Sequence, residues 1–174
     1  MHGITVRSEQ ESDLKAIDVV HLSAFEGDQE VALVGALRKS KTYDAELSLV
    51  AEFNGRIVGH VLLSPARIER DGTVVNILLL APMAVVPSQS HRGIGSELVR
   101  EAEARARQKG FEAIVEVGQP NYYQRLGFEP AERWGLGSNL PVETAMITAR
   151  ELTPGALEGG GKVMAPPQFL DLFS

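Results

Sequence analysis

Val85-Val86-Pro87-Ser88-Gln89-Ser90-His91-Arg92-Gly93-Ile94-Gly95-Ser96 joins the end of an apolar run, Ile77 to Val86, to a segment in which Ile94, Leu98, Ala102 and Ala106 recur at helical spacing. A strand therefore passes through a glycine-containing loop into a helix predicted over Gly93 to Lys109, which Gly110 stops. Free backbone N–H groups at such a helix start, aided by the helix dipole, make a site for a phosphate or pyrophosphate. Two better-known phosphate motifs do not fit. A dinucleotide fingerprint needs a third glycine after Gly95, where Ser96, Glu97 and Leu98 stand. A P-loop ending at Gly161-Lys162 would need glycine at Ala156 and Ser or Thr at Val163, so the GGGK run reads as a surface turn.

Upstream, Ile4 to Arg7 reads as a strand, and Ser8 with Glu11 has capping-box spacing before a first helix carrying Leu14, Ile17, His21, Ala24 and Phe25 on one face. Asp28 stands where it would cap a second helix with Val31, Val34 and Leu37. Leu47 to Phe53, Arg56 to Glu69 and Thr73 to Val86 then read as a three-strand meander turning at Asn54-Gly55 and Asp71-Gly72. Pro65 and Pro82 cannot donate to a ladder, so each marks a bulge, an edge or a strand end. Downstream, Ala113 to Val117 is a strand, parallel to the one before the Gly93 helix because a crossover joins them. Asn121 to Leu126 is a short helical turn closed by Gly127-Phe128, and Glu143 to Glu151 is the best remaining strand. These elements predict one α/β domain over residues 1–174, a mixed and largely antiparallel sheet covered by helices, with a core at 3–151 and a C-terminal extension at 152–174.

Composition narrows the chemistry. The 174 residues include no cysteine, which removes disulfides, thiolate nucleophiles and CxxC redox chemistry. His2, His21, His60 and His91 show no HxH or HExxH spacing, so no metal is expected. A net charge of −6 opposes broad nucleic-acid or anionic-membrane binding. No apolar stretch approaches a membrane span and the N-terminus lacks a signal-like apolar region, which reads as a cytoplasmic protein.

Ser90-His91-Arg92-Gly93-Ile94-Gly95 resembles motif A of the GNAT superfamily of acyl-CoA-dependent N-acetyltransferases, [Gln/Arg]-x-x-Gly-x-[Gly/Ala] after a strand. The resemblance extends to LLLAPMAVVP, to YYQRLGF and to the order of elements over residues 3–151. The tail LTPGALEGGGKVMAPPQF resembles that of a bacterial YhbS-like branch of the family. One departure is Ser90, where Gln or Arg is usual. The resemblance implies the acyl-CoA N-acyltransferase fold, with acetyl-CoA as cosubstrate and no metal. It implies that Ala84, Val85 and Val86 hold the pantetheine arm, that Pro82 marks a bulge beside it, and that His91, Arg92, Gly93, Ile94, Gly95 and Ser96 hold the pyrophosphate.

The implied chemistry is direct attack of a neutral primary amine on the acetyl thioester, which needs a base. Glu116, Glu52 and His60 are the candidates. Tyr123, four residues before Gly127, falls where many family members place a tyrosine near the cofactor sulfur, and of Tyr122 and Tyr123 at most one should face the thioester. The acceptor is expected along residues 22–45 and 132–142. Asp28, Glu30, Asp44 and Glu46 suggest a small cationic amine more than a protein, and a homodimer is compatible with the sequence. A CoA-binding sensor or scaffold without turnover is the alternative that Ser90 keeps open.

Overall fold

The computed structural model describes residues 3–90 and 92–173. The chain divides into two compact units, Met1–Leu63 with Ala81–Arg105, and Ser64–Leu80 with Ala106–Ser174.

The first unit starts with β1 (Ile4–Ser8), then α1 (Leu14–Ala24), α2 (Gln29–Arg38) and β2 (Ser48–Phe53). It also holds the first half of β3 (Arg56–Arg70), the end of β4 (Thr73–Val85) and most of α3 (Ile94–Gln108). β1 runs antiparallel to β2 from Ile4–Phe53 to Ser8–Leu49, and β2 antiparallel to β3 from Ser48–Leu62 to Phe53–Arg56, with a register shift after Ala51. The Asn54-Gly55 turn forms as expected, both residues having positive φ (52° and 75°), the geometry of a tight two-residue hairpin. The α3 stripe is borne out too, with Ile94, Leu98, Ala102 and Ala106 all buried. Arg105 of α3 donates to Ser8 Oγ (2.7 Å) and to the Glu46 carbonyl (2.8 Å).

Two local expectations need correction here. The cap before α1 forms at Gln10 and Asp13, whose carboxylate accepts the Gln10 N–H at 2.7 Å, because Arg7 already holds Asp13 beside β1. Asp28 stands at the start of α2, but its side chain makes no cap bond.

In the second unit, β4 pairs in parallel with β5 (Ala113–Val117) from Ile77–Ala113 to Leu80–Glu116, as the crossover required. β5 pairs antiparallel with β8 (Ile147–Glu151), and β8 with β6 (Glu129–Pro130). α4 (Pro120–Gln124) follows β5, and α5 (Gln168–Phe173) ends the described chain. The expected Glu143–Glu151 strand is shorter, since Thr144–Met146 is a 3-10 turn. The GGGK run is a surface turn only in part, since the exposed Gly159 ends a turn and the strand starts two residues later. Gly161–Met164 forms β9, antiparallel to β3 and parallel to β7 (Leu136–Ser138). Glycine is required because the backbones close tightly: a Cβ on Gly161, at φ +124°, would lie 2.6 Å from the Glu69 carbonyl. β3 pairs with β2 up to Leu62 and with β9 from Arg67, and Pro65 falls between these two stretches. Pro82 lies within β4 and follows a cis peptide bond.

Candidate active site

In the first unit the route from β4 to α3 is a sequence of local constraints. Val86 donates its N–H to Val58 O (2.9 Å) and accepts from Gln89 N (2.9 Å), so both of its backbone groups are engaged. Pro87 opens a single 3-10 turn, Pro87–Gln89, where its missing N–H costs nothing. The Ser90 N–H then bonds Pro87 O at 3.2 Å, so that amide is already used. Gly93, exposed and at φ +75°, reverses the chain, and the first helical bond runs from Glu97 N to Gly93 O (3.1 Å). The N–H groups of Ile94, Gly95 and Ser96 thus lie in the first turn of a 15-residue helix, without intrahelical acceptors. The exposed Arg92 places its guanidinium 5.3 Å from the centre of the Phe53 ring. Ala84 is buried and Val85 half-buried. His91 lies outside the described residues.

Gly59 of β3 was not singled out from sequence, although an isolated glycine in a strand signals close backbone approach. A Cβ there would lie 3.1 Å from Ile94 Cγ2, 3.1 Å from Leu98 Cδ1 and 3.3 Å from Ala84 O. Gly59 therefore lets the start of α3 seat directly on the strand. Gly59→Val should lower stability by about 1–3 kcal/mol, read as a fall in urea midpoint, because it overpacks this contact.

In the second unit, Glu116 is the penultimate residue of β5 and is 3% exposed. Its Oε2 accepts Gln119 N (3.1 Å) and its Oε1 accepts Thr148 Oγ1 (3.2 Å). Burial pushes its carboxyl up to about 7, against the pull of these two donors. Gly118, at φ +117°, turns the chain so that Pro120 can open α4. Tyr123 on α4 is 3% exposed and its ring meets Phe128 edge-on at 5.4 Å. Burial, then the charge of Glu116, then Tyr122 raise its phenol well above the ordinary range. Tyr122 is half-buried. One ring of the pair is thus enclosed and the other partly in solvent.

The other two base candidates are committed elsewhere in the first unit. Glu52 pairs with Arg7 at 3.1 Å. His60 is completely buried, with Nδ1 at 2.8 Å from His21 Nε2 and Nε2 at 2.8 Å from Ser48 Oγ. Ser48 Oγ donates to Glu9 Oε1, and Glu9 also accepts Arg38 (3.1 and 2.9 Å) and the Tyr43 hydroxyl (2.7 Å). Burial would raise the Glu9 carboxyl, but the donors of His60, Arg38, Ser48 and Tyr43 outweigh it and hold the group well below the usual carboxylate range. This network joins positions far apart in sequence, and only the capacity of each residue to bond was visible beforehand. Among the described residues no cluster of three or more His, Asp or Glu is placed to hold a metal ion, and no helix is long and apolar enough to cross a membrane.

A helix start whose first-turn N–H groups lack intrahelical acceptors, reached from a strand through a glycine turn, is suited to an anion. The profile of the Acetyltransferase (GNAT) family matches residues 14–128, and the chain belongs to that family. It is 34% identical to the N-acetyltransferase YjhQ of Escherichia coli K12 over 132 residues, 75% of this chain and 72% of that protein. It is 31% identical to the N-acetyltransferase YhbS of the same strain over 155 residues, 88% of this chain and 90% of that protein. A crystal structure of E. coli YhbS in complex with CoA superposes with a TM-score of 0.87 at 30% identity, covering 95% of this chain and 91% of that one. A GNAT acetyltransferase of Brucella melitensis in complex with acetyl-CoA gives 0.75 at 29% identity, covering 97% and 99%. The fold is the acyl-CoA N-acyltransferase fold anticipated from motif A.

Proposed function

We propose that this chain acts as one acetyltransferase domain that moves the acetyl group of acetyl-CoA to a small primary amine by direct attack. The observation that carries this reading is Glu116, a buried carboxyl that titrates near neutrality and interacts electrostatically with the protonated phenol of Tyr123. Burial raises both groups, which leaves Glu116 suited to accept a proton near neutrality and keeps Tyr123 protonated to donate a hydrogen bond. Acetyl-CoA supplies the activated thioester. Ala84, Val85 and Val86 hold its pantetheine arm, Val86 only through the second lone pair of its carbonyl because its N–H is spent on Val58, while His91, Arg92, Gly93, Ile94, Gly95 and Ser96 hold its pyrophosphate. The α3 first turn supports this fit, because its N–H groups and dipole match an anion without any metal. The amine nitrogen bonds to the carbonyl carbon and the carbon–sulfur bond breaks. Glu116 takes the amine proton, directly or through water, and Tyr123 donates a hydrogen bond to the departing sulfur. A cysteine-free chain working on soluble metabolites is consistent with a cytoplasmic enzyme.

The test pairs binding with turnover. Acetyl-CoA should raise the melting temperature, and a panel of primary amines should release free thiol. Stabilisation without thiol release would identify a CoA-binding sensor, and no stabilisation would remove the cosubstrate. Gly95→Val adds a branched side chain within the α3 first turn and should weaken acetyl-CoA binding by about tenfold or more in calorimetry. Equal affinity in that variant would refute the assignment of the loop.

A further inference from the structure

Two neutral donors are few for a carboxylate, whose oxygens together can accept about four hydrogen bonds. Glu116 takes one on each oxygen, from Thr148 Oγ1 and from the Gln119 N–H, and is still only 3% exposed. The rest of its surface is therefore covered by protein, and part of that cover comes from the far end of the chain. Just past β5, Gly118 sits at φ +117° and donates its N–H to Met146 O at 3.0 Å. This conformation favours glycine, so residue 118 brings no side chain to the carboxylate. A Cβ placed there would lie 4.0 Å from Glu116 Oε2 and 3.9 Å from Phe173 Cε1. The carboxylate oxygen and the edge of the Phe173 ring thus border the same spot.

α5 is held so as to deliver that ring. Ahead of it, Asn139 clamps both backbone groups of Ala165, accepting its N–H at 2.8 Å and donating to its carbonyl at 3.1 Å. The carbonyls of Pro166 and Pro167 then accept the Phe169 and Leu170 N–H groups, each at 3.0 Å. Phe169 is 1% exposed and anchors the helix. Phe173, four residues on, shares its face and is half-buried, whereas Leu170 and Asp171 stand in solvent. A helix this short has little stability of its own, so its place depends on these tethers.

We propose that Phe173 is a positioning residue for the base: α5 seats its ring beside Gly118 and shields the Oε2 side of Glu116 from water. This rests on the acetyltransferase reading, in which Glu116 accepts the amine proton. Charge does not explain the same environment. Among the described residues, Tyr123 on α4 is the titratable group that interacts with Glu116. Leu80 on β4 and Thr148 on β8, the register partners of Glu116, are uncharged. Arg150, further along β8, donates to the Leu126 carbonyl at 3.3 Å, and Asp171, the charged residue of α5, is exposed. Cover therefore holds the carboxyl up at about 7, and uncovering it should let water favour the ionised form.

The experiment follows the Glu116 carboxyl by 13C NMR through a pH titration of protein labelled at glutamate Cδ, with Glu116→Gln assigning the signal. The parent signal should titrate near 7. In Phe173→Ala the midpoint should fall by about one pH unit or more, toward the ordinary carboxylate range, and the low-pH limb of kcat/KM should move down with it. Phe173→Leu, which still excludes water, should keep the midpoint near that of the parent. Phe173→Gln brings a polar group to the same place and should lower the midpoint as Phe173→Ala does, so it decides the matter if the alanine variant folds poorly. A lower melting temperature with the midpoint unmoved would make Phe173 a packing residue only and overturn the proposal. The titration needs no substrate. A parent protein that neither binds acetyl-CoA nor releases thiol would overturn the acetyltransferase reading instead, while the midpoints still decide what Phe173 does to Glu116.

Discussion

Glu116→Gln should lower kcat/KM by about 10²–10⁴-fold, the usual contribution of a positioned base, with acetyl-CoA affinity unchanged. The pH profile tests the assignment more sharply. With a carboxyl raised to about 7, the basic form is lost as pH falls through neutrality, so the parent enzyme should lose activity there. The variant should keep only the limb that belongs to ionisation of the amine itself. A stability readout follows from the same burial. A carboxyl whose folded value lies above its unfolded one stabilises the protein fully below the unfolded value, and that contribution is lost as pH rises through about 7. Glutamine never ionises, so the variant should melt higher than the parent at about pH 8, by at most about 3 kcal/mol, and near the parent at about pH 4. A variant that is less active and more stable at alkaline pH marks a functional carboxylate held at a cost. Equal pH profiles would return Glu116 to a structural role.

Much of the framework was legible because its signals are local. The α3 stripe shows in sequence because one face of a single helix is buried, and the Asn54-Gly55 turn because two adjacent residues take positive φ. The parallel pairing of β4 with β5 follows from chain geometry once a helix lies between them. Signals that depend on distant partners were not legible. β9 begins at a glycine, a poor strand former, because Gly161 must approach the backbone at Glu69, 92 positions earlier in the chain. Gly59 is small for an analogous reason, the seating of α3, and a lone glycine in an apolar run does not say what approaches it.

The candidate site divides in the same way. The Gly93 turn and Tyr123 were identified from motif register, which records local geometry. The base could not be chosen from sequence because Glu116, Glu52 and His60 are all plausible chemically and differ only in surroundings. Among the described residues Glu116 accepts from two neutral donors and from no cation, Glu52 has Arg7, and both nitrogens of His60 are occupied. Burial without a compensating charge is what distinguishes the first, and burial is a property of the assembled fold.

Tyr123→Phe is expected to lower kcat by about 10–100-fold while leaving the Kd for acetyl-CoA nearly unchanged, since the ring that packs on Phe128 is retained. The size of the effect follows from comparing two acids. A thiol ionises near a reference value of about 8.5, whereas Tyr123 lies well above the ordinary phenol range because of burial and the nearby Glu116 charge. Complete proton transfer from Tyr123 to the departing thiolate would therefore run uphill. The phenol acts instead by donating a hydrogen bond as charge develops on sulfur, and the thiolate takes its proton from solvent. Removing one such donor costs less than removing the base, so Tyr123→Phe should remain more active than Glu116→Gln. It should also leave the neutral-pH limb of the profile in place, because that limb belongs to Glu116. Tyr122→Phe supplies the control: its half-buried ring should tolerate loss of the hydroxyl with less than about threefold change. Single-turnover measurements with an amine identified by the thiol-release panel would separate chemistry from product release. An unchanged rate for Tyr123→Phe in that assay would remove the phenol from the reaction and leave Tyr123 as the packing partner of Phe128.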